Sequence, residues 1–427
     1  MNILIIGAGG REHSFAWKIK QSPLCENLFI APGNAGTATC GINLDIAVSD
    51  FEKIAAAAVE NKIDLILVGP EEPLVKGIVD FFKNNETFSH IKIIGPNKEA
   101  AQLEGSKAYA KDFMMRHGIP TAAYREFVAT DFETGIEYIN THDMPLVIKA
   151  DGLAAGKGVL ICNSQVEARA EFELMLMRSK FGDAGKKVVI EDFLQGVEMS
   201  VFVLTDGKNY VLLPEAKDYK RIGVGDTGLN TGGMGAVSPV PIMTESLKEK
   251  IIKKIVEPTI HGLQKDNLDY KGFVFIGLMI DKGEEPFVIE YNCRMGDPET
   301  EVVIPRLKND LVELLNATAT ETLDSIVIQT EEKSAVAMVA VSGGYPGVYD
   351  NGKIIEGLNA YDLPESLLFH SGTKQVGEDV VTNGGRVLVA VSFGENITEA
   401  AEQSDYLLQQ VYFEDMKYRN DIGYEFK

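Results

Sequence analysis

The sequence predicts an α/β protein in three parts: an N-terminal doubly wound parallel sheet, a middle α+β unit and a small β-rich C-terminal domain. Three observations carry this. The first hundred residues alternate short apolar strands with helix-length runs. Each early strand stops at a glycine or proline turn: Gly7-Ala-Gly-Gly, Pro32-Gly-Asn, Gly69-Pro-Glu, Gly95-Pro-Asn. Two later strands end in a charge, one in Lys149 and one in Glu290.

In chain order, strands are expected over 2–6, 27–31, 64–68 and 92–94, with helices over 12–21, 51–61 and 73–84. In a doubly wound sheet the ligand sits outside the carboxyl ends of the strands. From about residue 105 the character changes. A helix over 106–117 stops at Gly118-Ile-Pro120, and strands over 147–149, 159–162 and 188–191 suggest a smaller α+β unit. Residues 214–241 are rich in glycine and poor in apolar residues, which predicts a long functional loop. Strands return over 273–280 and 287–290. The C-terminal part offers strands over 335–341 and 386–391 and an amphipathic helix near 400–411.

A chain of 427 residues is too long for one core. Its net charge of −22 repels nucleic acid and anionic membranes, so anionic substrates must be held by local lysines, arginines and backbone amides. Four cysteines, at 25, 40, 162 and 293, lack paired spacing, which argues against zinc and disulfides and for a reducing cytoplasm. The apolar start Ile3–Ile6 runs straight into glycines and Arg11-Glu12, which reads as a first strand rather than a signal peptide. No run has the ~20 apolar residues of a membrane span.

Strand alternation puts Glu290 and Asn292 on one face. A carboxylate and an amide oxygen at that spacing suit Mg²⁺ shared with substrate phosphates. Lys149 leads into Ala-Asp-Gly-Leu-Ala-Ala-Gly156-Lys157-Gly158. Taken singly, a charge closing a strand is a solvated end and a glycine-rich loop a plain turn. Together they point to a nucleoside triphosphate held by lysines and metal. The loop is no Walker A motif, since three residues separate Gly152 from Gly156 and Gly158 replaces the metal-binding Ser/Thr. Gly7-x-Gly9-x-x-Glu12 also fails as a dinucleotide fingerprint, because Glu12 replaces the third glycine and Ala31-Pro32 replaces the ribose-binding acid. What survives is a helix N-terminus at Gly9, Gly10 and Arg11 that favours a phosphate monoester. Pro32, Gly33 and Asn34, with Pro70 and Glu71, stand ready for sugar contacts. Glu191 and the following Phe193 and Leu194 read as a hinge for an adenine edge, Glu198 as a ribose ligand. Arg294 is placed to neutralise a phosphoryl or acyl phosphate oxygen, Asp297 and Glu299 to hold an ammonium. His13 is the one histidine in a site loop.

Segments from end to end resemble the phosphoribosylamine–glycine ligase (glycinamide ribonucleotide synthetase) family of the ATP-grasp superfamily. They include Gly7-Ala-Gly-Gly-Arg-Glu-His13, Ala31-Pro-Gly-Asn-Ala-Gly36, Val68-Gly-Pro-Glu71, Leu103-Glu-Gly-Ser-Lys107, 148–158, Asn230-Thr-Gly-Gly-Met-Gly235, 290–299 and Thr382-Asn-Gly-Gly-Arg386. The resemblance implies a phosphoribosylamine-binding domain over 1–104, a two-lobed ATP-grasp core over 105–330 with its mobile lobe at about 123–195, and a C-terminal domain over 331–427. It implies ligation of glycine to 5-phosphoribosylamine through glycyl phosphate in de novo purine biosynthesis, with ATP and Mg²⁺ or Mn²⁺. ATP falls to Lys107, Lys149, Gly156, Lys157, Glu191, Phe193, Leu194 and Glu198, and the metal to Glu290 and Asn292. Phosphoribosylamine and glycine fall to Gly9, Gly10, Arg11, Glu12, His13, Pro32, Gly33, Asn34, Pro70, Glu71, Arg294, Asp297 and Glu299. The catalytic set is Lys149, Arg294, Asp297 and Asp218. Cytoplasmic location and transient contact with neighbouring purine-pathway enzymes go with it, with no nucleic acid or membrane partner. Two positions depart from the pattern. Tyr219 stands where histidine is frequent, and Leu278 stands where other ATP-grasp enzymes carry a second acid.

Overall fold

The structure is a computed structural model that describes residues 1–153, 158–178, 180, 182–358 and 363–426. The strands Asn2–Gly7, Asn27–Pro32, Leu65–Val68 and Lys92–Pro96 lie parallel, joined by the short Ile42–Asn43 at the edge. They are near-continuous apolar runs because both faces are covered. The helices Gly10–Ile19 and Phe51–Glu60 follow the first two long strands. The helix expected over 73–84 is two, Glu71–Lys76 and Ile78–Lys83, broken at Gly77, whose φ of +93° is left-handed.

The parallel sheet does not end with its own domain. Tyr270 pairs with Pro96 and Lys271 with Gly95, antiparallel. The long strand Tyr270–Ile280 thereby carries the sheet onward to Val197–Thr205 and Tyr210–Leu212, and also pairs with Pro286–Asn292. Apolar clusters fill both faces of this nine-stranded sheet. A second sheet, Tyr124–Val128, Lys187–Asp192, Leu146–Ala150 and Val159–Cys162, forms a small lobe. Its alternate residues Leu146, Ile148, Val188 and Ile190 pack with Phe127 and Phe172 beneath the helices Phe132–Thr141 and Gln165–Leu176.

The third sheet corrects the reading of 214–241 as a loop without regular structure. Those residues contain the strands Lys217–Asp218, Arg221–Gly223, Thr227–Asn230 and Gly235–Ser238. Gly235–Ser238 pairs with Ser334–Val341, which continues to Arg386–Gly394 and Ser366–His370. The C-terminal sheet thus includes a segment from the middle of the chain, and the helix Ile397–Leu408 packs on it. Among the described residues no helix is long and apolar enough to cross a membrane.

The join at Gly235 is tight. A Cβ there would sit 2.5 Å from the Ala337 carbonyl oxygen and 2.7 Å from the Ile422 side chain. Gly235→Ala is therefore expected to cost about 1–3 kcal/mol by overpacking and to free the segment 214–241. Limited proteolysis with mapped cleavage sites checks this: new cuts within 214–241 are expected, with the small lobe uncut.

Candidate functional site

The strand Leu146–Ala150 delivers Lys149 to the inner face of the small lobe, where its ammonium lies 2.8 Å from Glu191 Oε1 and donates to the Ile289 carbonyl at 3.3 Å. Glu191 Oε2 is 2.9 Å from Lys111. All three side chains are buried. Glu191 thus bridges two lysines and orients them. The strand-end backbone before Phe193 and Leu194 remains for a base edge. Lys107 opens the helix Lys107–Arg116, capped by Ser106. Asp151 fastens this start by accepting from Ser106 Oγ at 3.0 Å and Ala108 N at 2.7 Å. Burial pulls the Lys107 ammonium below its ordinary value, Glu290 opposes that, and Lys149 adds to it.

Glu290 pairs with Gly277 while Val288 pairs with Leu278, so Ile289 is a bulge. The bulge leaves the Ile289 carbonyl to Lys149. Glu290 and Asn292, two residues apart after it, share a face. Burial alone would raise the Glu290 carboxyl, but Lys220, Lys107, Lys149 and Arg294 outweigh it and hold the group below its ordinary value. Lys220 lies 3.5 Å from Glu198 and 3.8 Å from Asp218. Burial raises the Asp218 carboxyl, and burial followed by Asp218 pushes Glu299 up to about 8. An ionised carboxylate ringed by cations and further acids suits a divalent ion bridging to phosphate oxygens. Among the described residues no group of three metal-ligating side chains stands ready-made, so phosphates would complete such a shell. Leu278 is buried in the core and offers no ligand.

Arg294 follows at once. Its Nη2 donates to Glu104 Oε1 at 2.6 Å and its Nε to Glu71 Oε2 at 3.3 Å. Glu104 Oε2 accepts from the Cys293 amide at 2.8 Å. Arg11 donates through Nη1 to the Met295 carbonyl at 3.0 Å, and its amide faces Asp297 Oδ2 at 3.4 Å. Asp297 Oδ1 lies 3.0 Å from Arg386 Nη1, which the C-terminal strand Arg386–Gly394 supplies. All three sheets therefore send charged groups to one cleft.

Several residues read as ligands have other partners. Glu12 accepts from Gly9 N at 2.6 Å and Arg11 Nε at 2.7 Å, capping its own helix. Its side chain fills the space a Cβ on Gly7 or Gly69 would need. Asn34 donates to the carbonyls of Ala8, His370 and Ser371 and accepts from the Gly36 and Thr37 amides, so its amide ties the first domain to the C-terminal sheet. Gly33 has φ +73° with Asn43 and Thr37 against it, beside Pro32. His13 Nδ1 accepts from the His370 amide at 2.8 Å. Gly10 faces Glu301, since a Cβ there would lie 2.3 Å from its Oε1. Gly9 and Arg11 stay at the cleft, as does Pro70, the residue before the helix of Glu71. Gly156 and Lys157 lie outside the described residues. Tyr219 is buried, its hydroxyl donating to Glu425 Oε2 at 2.8 Å. Glu104, Lys111 and Arg386 join the site without a role legible in the sequence. The i, i+4 spacing of Lys107 and Lys111, which puts both on one helix face, was the signal for Lys111.

Comparison with known proteins decides the lineage. Residues 1–104, 105–300 and 335–425 match the phosphoribosylglycinamide synthetase N domain, ATP-grasp (A) domain and C domain. The chain belongs to the phosphoribosylglycinamide synthetase family. Within that family it is 46% identical to the phosphoribosylamine–glycine ligase of Vibrio vulnificus strain YJ016 over 426 residues, covering 99% of this chain and 98% of that one. The Escherichia coli K12 protein of the same name is likewise 46% identical, over 427 residues. The crystal structure of phosphoribosylamine–glycine ligase from Thermotoga maritima superposes with a TM-score of 0.85 at 34% identity, covering 99% of this chain and all of that one. A biotin carboxylase domain of Hydrogenobacter thermophilus 2-oxoglutarate carboxylase shares the fold, with a TM-score of 0.73 at 16% identity over 97% and 91% of the two chains.

In this synthetase the contact between first and C-terminal domains depends on uncharged imidazole. Burial pushes His13 down to about 3 and His370 to about 4. A histidine held below its unfolded value of about 6.5 lends stability above that pH and loses it as pH falls. His13→Asn keeps a polar side chain at this position without a titrating ring. Between pH 7 and pH 5 the wild type is expected to lose about 2 kcal/mol more stability than the variant, as read from urea unfolding midpoints.

Proposed function

We propose that this chain uses ATP to join glycine to 5-phosphoribosylamine, giving glycinamide ribonucleotide, ADP and phosphate in de novo purine biosynthesis. The observation that carries this reading is Arg294, gripped by Glu71 of the first domain and Glu104, one step beyond Glu290 and Asn292. It lies where a phosphate-binding helix start and a nucleotide cleft meet. The proposed division places phosphoribosylamine in 1–104, ATP in 105–330 with its small lobe over about 123–195, and the closing domain in 331–427. The relatives' shared name supports the substrates.

The chain's own groups position and neutralise, as phosphoryl transfer requires. Lys107 and Lys149 hold the triphosphate from the small-lobe side, and Glu198 takes the ribose. Glu290 and Asn292 would hold Mg²⁺ or Mn²⁺, which supplies charge neutralisation between phosphates. The helix N-terminus at Gly9, Gly10 and Arg11 faces the substrate phosphate with its dipole, with Pro70 and Glu71 beside the sugar. Asp297 and Glu299 hold an ammonium. A glycine carboxylate oxygen attacks the γ-phosphorus and ADP leaves. The amine of phosphoribosylamine then attacks the acyl carbon, losing a proton as phosphate departs. Arg294, with Asp218 near Lys220, steadies the charge through both steps. The small lobe closes to keep water from the acyl phosphate.

Two outcomes are expected. Glycine carrying heavy oxygen in its carboxylate should deliver label to inorganic phosphate, as mass spectrometry reads it; unlabelled phosphate would exclude glycyl phosphate. Glu290→Gln should lower kcat by ~10²-fold, about 2.7 kcal/mol, in an ADP-release assay; near-normal turnover at low Mg²⁺ would mark Glu290 as a solvated strand end.

A further inference from the structure

Glu301 has no task in the reaction above. It stands in the first turn of the helix Thr300–Arg306, fully buried, and neither carboxyl oxygen has a hydrogen-bond partner among the described residues. An ionised carboxylate in that state is costly. Three parts of the chain enclose it. The first domain brings the Gly10 backbone and Arg11. The C-terminal sheet brings Arg386 and Val389, whose Cγ2 would sit 3.3 Å from a Cβ on Gly10. Its own segment brings Asp297. One nitrogen of the Arg386 guanidinium is already committed: Nη1 is 3.0 Å from Asp297 Oδ1 and donates to the carbonyls of Asp297 at 2.6 Å and Gly232 at 2.9 Å. Were Glu301 ionised as well, it would compete for Arg386 and repel Asp297.

We propose that Glu301 is a positioning residue that works as a neutral acid, leaving Arg386 to Asp297 and so fixing Asp297 beside the helix start that receives phosphoribosylamine. The inference rests on the proposed reading of Asp297 as a substrate ligand. The charges facing Glu301 agree with it. Burial and then Asp297 push its carboxyl well above the ordinary value, while Arg386 and Arg11 pull the other way. Gly10 and Val389 bring no charge.

The folded protein therefore keeps a proton that the unfolded chain has released once pH exceeds the ordinary carboxyl value of about 4.5. Native stability falls with rising pH on account of this group, and Glu301→Gln removes that loss. In thermal unfolding at one scan rate, the advantage of the Glu301→Gln variant over wild type is expected to widen by about 2 °C or more from pH 5.5 to pH 8. A gap that stays constant or narrows overturns the neutral acid. In steady-state kinetics, Glu301→Gln is expected to keep the KM for glycine, whose ammonium Asp297 holds, within about threefold. Glu301→Leu, of similar volume without a polar atom, is expected to raise it by about tenfold while the KM for ATP holds. Equal increases in both variants, or none in Glu301→Leu, overturn the positioning role. A wild type that forms no glycinamide ribonucleotide overturns the proposed function instead, and the pH-dependent gap still reads the proton.

Discussion

A guanidinium taken out of water has to be met by carboxylates. Arg294 is met by two, Glu71 and Glu104, both from the first domain, and the rest of the cleft follows from that grip. Glu104 holds Arg294 with one oxygen and, with the other, the amide and thiol of Cys293. It thereby clamps the end of the strand that carries Glu290 and Asn292. Glu71 reaches Arg294 from the turn after Leu65–Val68. The first domain and the strand Pro286–Asn292 are thus tied across the cleft. The sheet beneath supplies the rigidity, since Tyr270–Ile280 pairs with strands of both parts.

The cleft gathers cations around one carboxylate in an acidic molecule. The chain carries −22 overall, yet Lys107, Lys149, Lys220 and Arg294 all act on Glu290. Most of these cations are already paired with acids: Lys149 with Glu191, Lys220 with Glu198 and Asp218, Arg294 with Glu71 and Glu104. Such pairing keeps the cations in place before an anion arrives, which is the preorganisation that makes charge stabilisation effective.

Period-two alternation made the shared face of Glu290 and Asn292 legible in the sequence, and glycine and proline turns marked the strand ends of the first domain. The family resemblance, rather than any local pattern, put Glu12 and His13 among the substrate ligands, beside Asn34 of the turn after Asn27–Pro32. The structure gives their hydrogen bonds to a helix cap and to the seam with Ser366–His370, partners more than 300 residues away for His13 and Asn34. Sequence spacing carries no trace of that seam. Glu104 and Arg386 were hidden for the same reason, since each acquires meaning from a partner in another sheet. The bulge at Ile289, which frees a carbonyl for Lys149, needed the register of Tyr270–Ile280 to be seen.

The strand Gly235–Ser238 finds its neighbour Ser334–Val341 about a hundred residues downstream. A ribosome adding roughly 5–20 residues per second therefore leaves this strand without its partner for on the order of 5–20 seconds. During that interval the edge of Gly235–Ser238 is open to other chains. The nucleotide cleft of the nascent chain is assembled last, when its C-terminal third has emerged. A truncated translation product would thus carry an unfinished cleft, and would present itself to quality control by that exposed edge.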